Sequence, residues 1–222
     1  MPQQQQTSPA KTAAPKTDQP KAPKGRPAGA TLAPDREHPR DRLLETATEL
    51  FYAQGVHAVG IDKIIAFAGV AKATFYAYFP GKDDLVRAYI ENQSRQHRAL
   101  AEQAAKGSPR ETLLAIFEYM GVVAGSPAYR GCPFVNVAAE YPDPRHMVRM
   151  AVAHHRSWIR SHFRDLLVAE GHPDPERTAD VLMLVRDGLV IGLDLGDTEA
   201  VRAVIRDAVT RVLDARDFPR AA

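Results

Sequence analysis

Two short helical patterns meet at a glycine, and that junction limits what this chain can fold into more than any other feature. Ile61, Ile64, Ile65 and Ala68 fall at i, i+3, i+4 and i+7, one face of a short helix. Gly69 and Val70 follow as a tight turn. Phe75 and Phe79 share the inner face of a helix expected from about Ala71 to Phe79, and Pro80 and Gly81 end it. Two helices joined by a three-to-four-residue glycine turn form a helix-turn-helix, whose second helix lies in the DNA major groove. Lys72, Thr74, Tyr76 and Tyr78 give that helix an ammonium and hydroxyl groups, which meet phosphate oxygens and base edges. On spacing alone, a plain solvated helix face reads the same way.

The rest of the chain carries helical signals and no period-2 strand pattern, so the expected fold class is all-α. Leu43, Leu44, Ala47, Leu50 and Phe51 line one face of a first helix that Gly55 stops. A fourth helix opens near Lys82, with Asp83 and Asp84 suited to its positive end. Ser108 with Glu111 reads as a capping box opening a helix to about Val123. Residues 127–133 read as a loop, followed by a short helix from Asn136 to Glu140 that Pro142 and Pro144 close. A long helix is expected from about His146 to Glu170. Asp174 with Pro175 opens another, and a last one runs from Thr198 to about Arg216.

Of the 222 residues, 45% are apolar and 25% charged, enough for a sizeable core. A single cysteine excludes an internal disulfide framework. No apolar run suits a membrane span or a signal segment, so a soluble, cytoplasmic protein is expected. The net charge of +2 does not itself point to nucleic acid. Its placement is uneven: the first 40 residues hold seven basic and three acidic residues and 8 of the 17 prolines. Residues 1–38 therefore read as a disordered basic arm, either a solubilising tail or a segment that reaches phosphates. The domains expected after it are 39–90 (DNA-binding), 91–217 (a second helical domain) and a tail at 218–222.

The run Gly55-Val56-His57-Ala58-Val59-Gly60-Ile61-Asp62-Lys63-Ile64, with Ala68 through Val86, closely resembles the DNA-binding domain of TetR/AcrR-family transcriptional regulators. The resemblance covers roughly residues 41–90. It implies that Lys72, Ala73 and Thr74 open the recognition helix and approach bases and phosphates. It implies backbone or flanking-base contacts for Tyr76 and Tyr78, and a phosphate contact for Lys82. Two residues depart from the family pattern. Gly60 stands where Ser or Thr usually caps helix two, and it brings no hydroxyl. Asp62 stands where polar or basic residues are frequent; it can accept from cytosine N4 or point away. From Asp41 to His97 there are six basic residues against seven acidic, so attraction to DNA must come from a few placed groups, helix dipoles and the arm.

The same resemblance implies a ligand-binding second domain and a homodimer built from the last two helices, with a palindromic DNA operator as partner and repression relieved by a small ligand. Gly188 and Gly192, four apart, suit close helix approach at such an interface or are ordinary glycines within one subunit. For the ligand site, Phe117, Met120, Phe134, His155, Trp158 and Ile159 are the candidates, on the stripe Val148, Ala151, Val152, His155, Ile159, His162 and Leu166 and on nearby helices; any one of them taken singly reads more readily as a plain core residue. These faces offer aromatics, Met and His rather than clustered Arg or Lys, so a small, mostly apolar ligand is expected. The run Arg130-Gly131-Cys132-Pro133-Phe134 resembles a stretch found in one subgroup of these regulators. Cys132 reads as a small buried residue or, beside Arg130, as an oxidant-sensing thiolate. The histidines match no closed metal motif, and no cofactor or metal is expected. Nothing suggests an enzyme: there is no nucleophile elbow and no phosphate loop. An inducer-free architectural factor on the same fold is the competing reading.

Overall fold

A computed structural model describes residues 38–105 and 107–215. Apart from His38, the expected basic arm lies outside these residues, as does the tail at 218–222. Among the described residues the regular elements are helices, with no strand: α1 (Pro39–Gln54), α2 (Ile61–Ala68), α3 (Lys72–Tyr78), α4 (Lys82–Ala104), α5 (Pro109–Ala124), α6 (Pro133–Glu140), α7 (Met147–Glu170), α8 (Pro175–Leu195) and α9 (Thr198–Asp214). None is long and apolar enough to cross a membrane.

The punctuation follows local chemistry. Gly69 adopts φ +63°, the left-handed conformation that a side chain disfavours, and its N–H donates to the Ile65 carbonyl. The Val70 N–H donates to the same carbonyl at 3.3 Å, closing a Schellman motif between α2 and α3. Ser108 and Glu111 form the reciprocal capping box expected of them. Asp174 and Asp197 cap α8 and α9 through backbone amides. α6 begins at Pro133, three residues earlier than the sequence pattern suggests, because proline at the first helical position loses no bond.

α1 to α3 and the first turns of α4 close a small head around Leu43, Ala47, Phe51, Ile64, Phe75, Leu85 and Tyr89. This core runs on through Phe134, Val137 and Tyr141 of α6 into Val148 and Val152 of α7. A second core, with Leu113, Phe117, Phe163, Leu182, Ile205 and Val209, packs α5, α7, α8 and α9 together. α4 passes residue 90 without a break and packs on α7, and α6 lies between the head and α7.

Candidate nucleic-acid interface and adjoining cavity

The core orients α3. Phe75 and Phe79 are buried, which turns Lys72, Ala73, Tyr76 and Ala77 outward and leaves Thr74 half-exposed. The Tyr76 ring meets Phe75 edge-on at 5.1 Å. Asp62, in the first turn of α2, holds Lys72 directly: Nζ to Oδ1 is 3.1 Å, with both side chains largely in solvent. The hydrogen bond and charge of Asp62 raise the ammonium pKa, so Lys72 is firmly cationic. The Tyr78 hydroxyl lies 3.3 Å from His38 Nε2, with the two rings in T-shaped contact. Lys82 opens α4 half-buried. Burial lowers its pKa, and the Glu140 and Asp83 carboxylates oppose that shift.

The head is bonded to α6 through carboxylates. Glu140, the last residue of α6, accepts from the amide of Val56 at 2.8 Å and from that of His57 at 2.6 Å. Gly55 gives it room: a Cβ there would sit 3.3 Å from the carboxylate oxygen, on a backbone at φ +84°. Tyr141 donates its hydroxyl to Asp83 at 2.8 Å, and His146 Nε2 lies 3.3 Å from the other Asp83 oxygen. Burial, then the Asp83 bond, pushes the Tyr141 phenol well above its ordinary pKa.

The N-terminal part of α6 faces a different space. Phe134, Val135 and Ala138 wall a cavity of about 280 Å³ with Arg149, Val152, His155, Arg156 and Ile159 of α7 and Arg186 of α8. Phe134 and His155 stack face to face, their ring centroids 3.6 Å apart. His155 Nδ1 is 3.0 Å from the Ser94 hydroxyl of α4, and its Nε2 is buried with no partner. Burial pushes His155 down to about 3 and neighbouring His97 down to about 4, so both rings are neutral at pH 7. Arg186, only 8% exposed, donates to Asp187 at 3.0 Å and to the Cys132 sulfur at 3.6 Å. Arg156 engages both oxygens of the same Asp187. Burial raises the Asp187 carboxyl, but Arg156 and Arg186 outweigh it and hold it below the usual range.

Residues 43–89 match the family described as bacterial regulatory proteins, tetR family. A TetR-family transcriptional regulator from Streptomyces coelicolor is 40% identical; the similarity spans 81% of this chain and 96% of that one, with a TM-score of 0.75. The chain belongs to the TetR family. A TetR-type regulator from Streptomyces avermitilis is 31% identical over 82% of this chain and all of its own, with a TM-score of 0.72. Among curated relatives, the HTH-type transcriptional repressor NemR of Escherichia coli is 28% identical over 51% of this chain and 59% of its own.

As a TetR-family member the chain is a DNA-binding transcriptional regulator, not an enzyme. Of the six expected ligand residues, Phe134, His155 and Ile159 line the cavity. Phe117 instead stacks on Phe163 in the second core, and Met120 packs at the seam of the two cores. Trp158 lies beside the cavity between His155 and His162, under the Arg98 guanidinium at 4.7 Å. The expectation that clustered cations are lacking does not hold, since three arginines reach the cavity. One is legible in the sequence: Arg186 interrupts the stripe Leu182, Met183, Leu189, Val190 and Leu193. The α8 glycines also divide. A Cβ at Gly192 would sit 3.5 Å from Val201 of its own subunit's α9, whereas one at Gly188 would meet nothing within 4 Å.

Proposed function

We propose that this regulator is a repressor that leaves a palindromic operator when a small ligand enters the cavity between α6, α7 and α8. Lys72, Ala73, Thr74, Tyr76, Tyr78 and Lys82 form its DNA surface, and it acts in the cytoplasm as a homodimer. The observation that carries this reading is the double attachment of α6: Phe134 and Ala138 wall the cavity, and Glu140 at the end of the same helix is bonded to the head. A ligand that displaces α6 must move the head or break those bonds. It shifts the balance only by binding one arrangement more tightly than the other.

The dimer is supported by an apolar stripe on α8. Leu184 (70% exposed), Ile191 and Leu195 (79% exposed) follow one another at helical spacing, with Gly188 open between them. Val204 of α9 is exposed as well. Two such helix pairs make a four-helix interface with two-fold symmetry. The test is to challenge the operator-bound protein with a panel of apolar drugs, fatty acids and aromatic acids while following fluorescence anisotropy. Release by a compact, mostly apolar member is expected. Release only by a polyphosphate, or by nothing that binds the cavity, contradicts the reading.

A further inference from the structure

The cavity between α6, α7 and α8 holds more positive charge than its walls neutralise. Arg156 and Arg186 share one carboxylate, Asp187. Arg149 has no ion-pair partner among the described residues, and its Nε is buried without a hydrogen bond. Buried polar atoms are nearly always partnered, and Arg149 and His155, which both line this cavity, each carry one buried nitrogen without a hydrogen-bond partner, as do Arg42, His162 and His172 elsewhere. A guanidinium only donates, which calls for an acceptor. The remaining wall is apolar: Phe134, Val152 and Ile159 offer no polar side-chain group.

We infer that the cavity takes a compact monocarboxylic acid, its carboxylate on Arg149 and its aromatic or branched body against Phe134, Val152 and Ile159. A planar carboxylate suits a guanidinium because two parallel N–H···O bonds form at once. About 280 Å³ falls just below the range of about 300–1,000 Å³ usual for drug-sized ligands, which suits a compact ligand. The arginines come from two helices, Arg149 and Arg156 from α7 and Arg186 from α8, while the apolar wall comes partly from α6. A bound acid thus ties α6 to α7 and α8. The neutral state of His155 matters here, because its Nε2 can donate once Ser94 donates to Nδ1, or accept in the other tautomer. The inference rests on the ligand-responsive reading and names the ligand class of that same cavity.

The experiment uses the full chain and three acids, benzoate, phenylacetate and 4-methylpentanoate, each beside its neutral amide. Binding is measured by calorimetry, and release from operator DNA is measured separately. At least one acid binds, and its amide binds about tenfold more weakly or worse, as expected on losing a charge-assisted hydrogen bond. Arg149→Met abolishes acid binding without lowering the melting temperature of the unliganded protein, because Arg149 has no ion-pair partner to lose among the described residues. A merely structural Arg149 gives the reverse: a lower melting temperature and unchanged binding. Equal affinity for acids and amides, or no binding of any acid at millimolar concentration, overturns the inference. An acid that binds through Arg149 but leaves the DNA complex intact upholds the ligand class and refutes the regulatory reading. Release by the amides alone does the opposite.

Discussion

Glu140 closes on His57 from the far end of the helix that walls the cavity: its carboxylate accepts from the His57 amide at 2.6 Å and lies 3.4 Å from the ring Nδ1. The other oxygen takes the half-buried amide of Val56. Leaving such an amide unpaired costs about 1–3 kcal/mol. Glu140→Gln keeps an oxygen for one amide and turns an NH₂ toward the other. The variant therefore keeps its fold and binds operator DNA within a few-fold of the parent, while ligand-induced release is blunted. Parallel titrations of both proteins on labelled operator check this. A normal release curve from Glu140→Gln would place the coupling elsewhere.

The recognition helix enters solution with its lysine already engaged. Asp62 must give up Lys72, or repel phosphate beside it, when DNA binds. Asp62→Asn is expected to tighten binding to all sequences and to steepen its salt dependence by about 0.9 in log–log slope for each further phosphate neutralised. Lys72→Ala weakens binding uniformly and makes the slope shallower. Affinity measured at several salt concentrations reads both effects, and an unchanged slope in both variants removes Lys72 from the interface.

The buried histidine pair sets an acid limit on stability. His97 and His155 have folded-state pKa values depressed to about 4 and about 3 by burial, below their ordinary value near 6.5. The unfolded chain therefore binds protons first, and stability is lost as pH falls through about 6.5 toward 4. Above that window both states are neutral at these rings and the effect vanishes. The melting temperature is expected to drop between pH 7 and 5, before most carboxylates titrate. His155→Phe keeps the stack on Phe134 and flattens that limb. An equally steep fall in the variant would assign the loss to other groups.

Leu184 and Leu195 project from α8 into solvent in the isolated subunit. Leu184→Glu with Leu195→Glu puts two like charges at a two-fold interface while leaving the subunit core untouched. Sedimentation is expected to show monomer, with helical content retained and operator affinity sharply reduced. A double variant that remains dimeric moves the interface off this stripe.

Local signals make much of the head legible. Gly69 marks the turn because only glycine adopts its left-handed backbone at ease, and Phe75 and Phe79 mark the buried side of α3 because their spacing puts two large apolar rings on one face. Caps at Ser108, Asp174 and Asp197 are equally local. The cavity is less legible, because periodicity shows which face of a helix is buried but not what it is buried against. Phe117 and Phe134 read alike in sequence, yet one fills a core and the other walls a space. Arg149 and Arg156 read as surface residues; Arg156 stays exposed while reaching the cavity rim, and only the packing of α6 and α8 over α7 leaves Arg149 half-buried there. Glu140 carries no signal, since the amides that it holds lie more than 80 residues away.

The most direct test is a footprint of the full-length protein on DNA selected from its own genome. Two protected half-sites related by two-fold symmetry are expected, about 34–36 Å or a multiple apart along the duplex, as the geometry of paired recognition helices requires. Protection should disappear in Lys72→Ala at physiological salt. A single asymmetric site covered by a monomer, or uniform protection with no preferred sequence, contradicts the account.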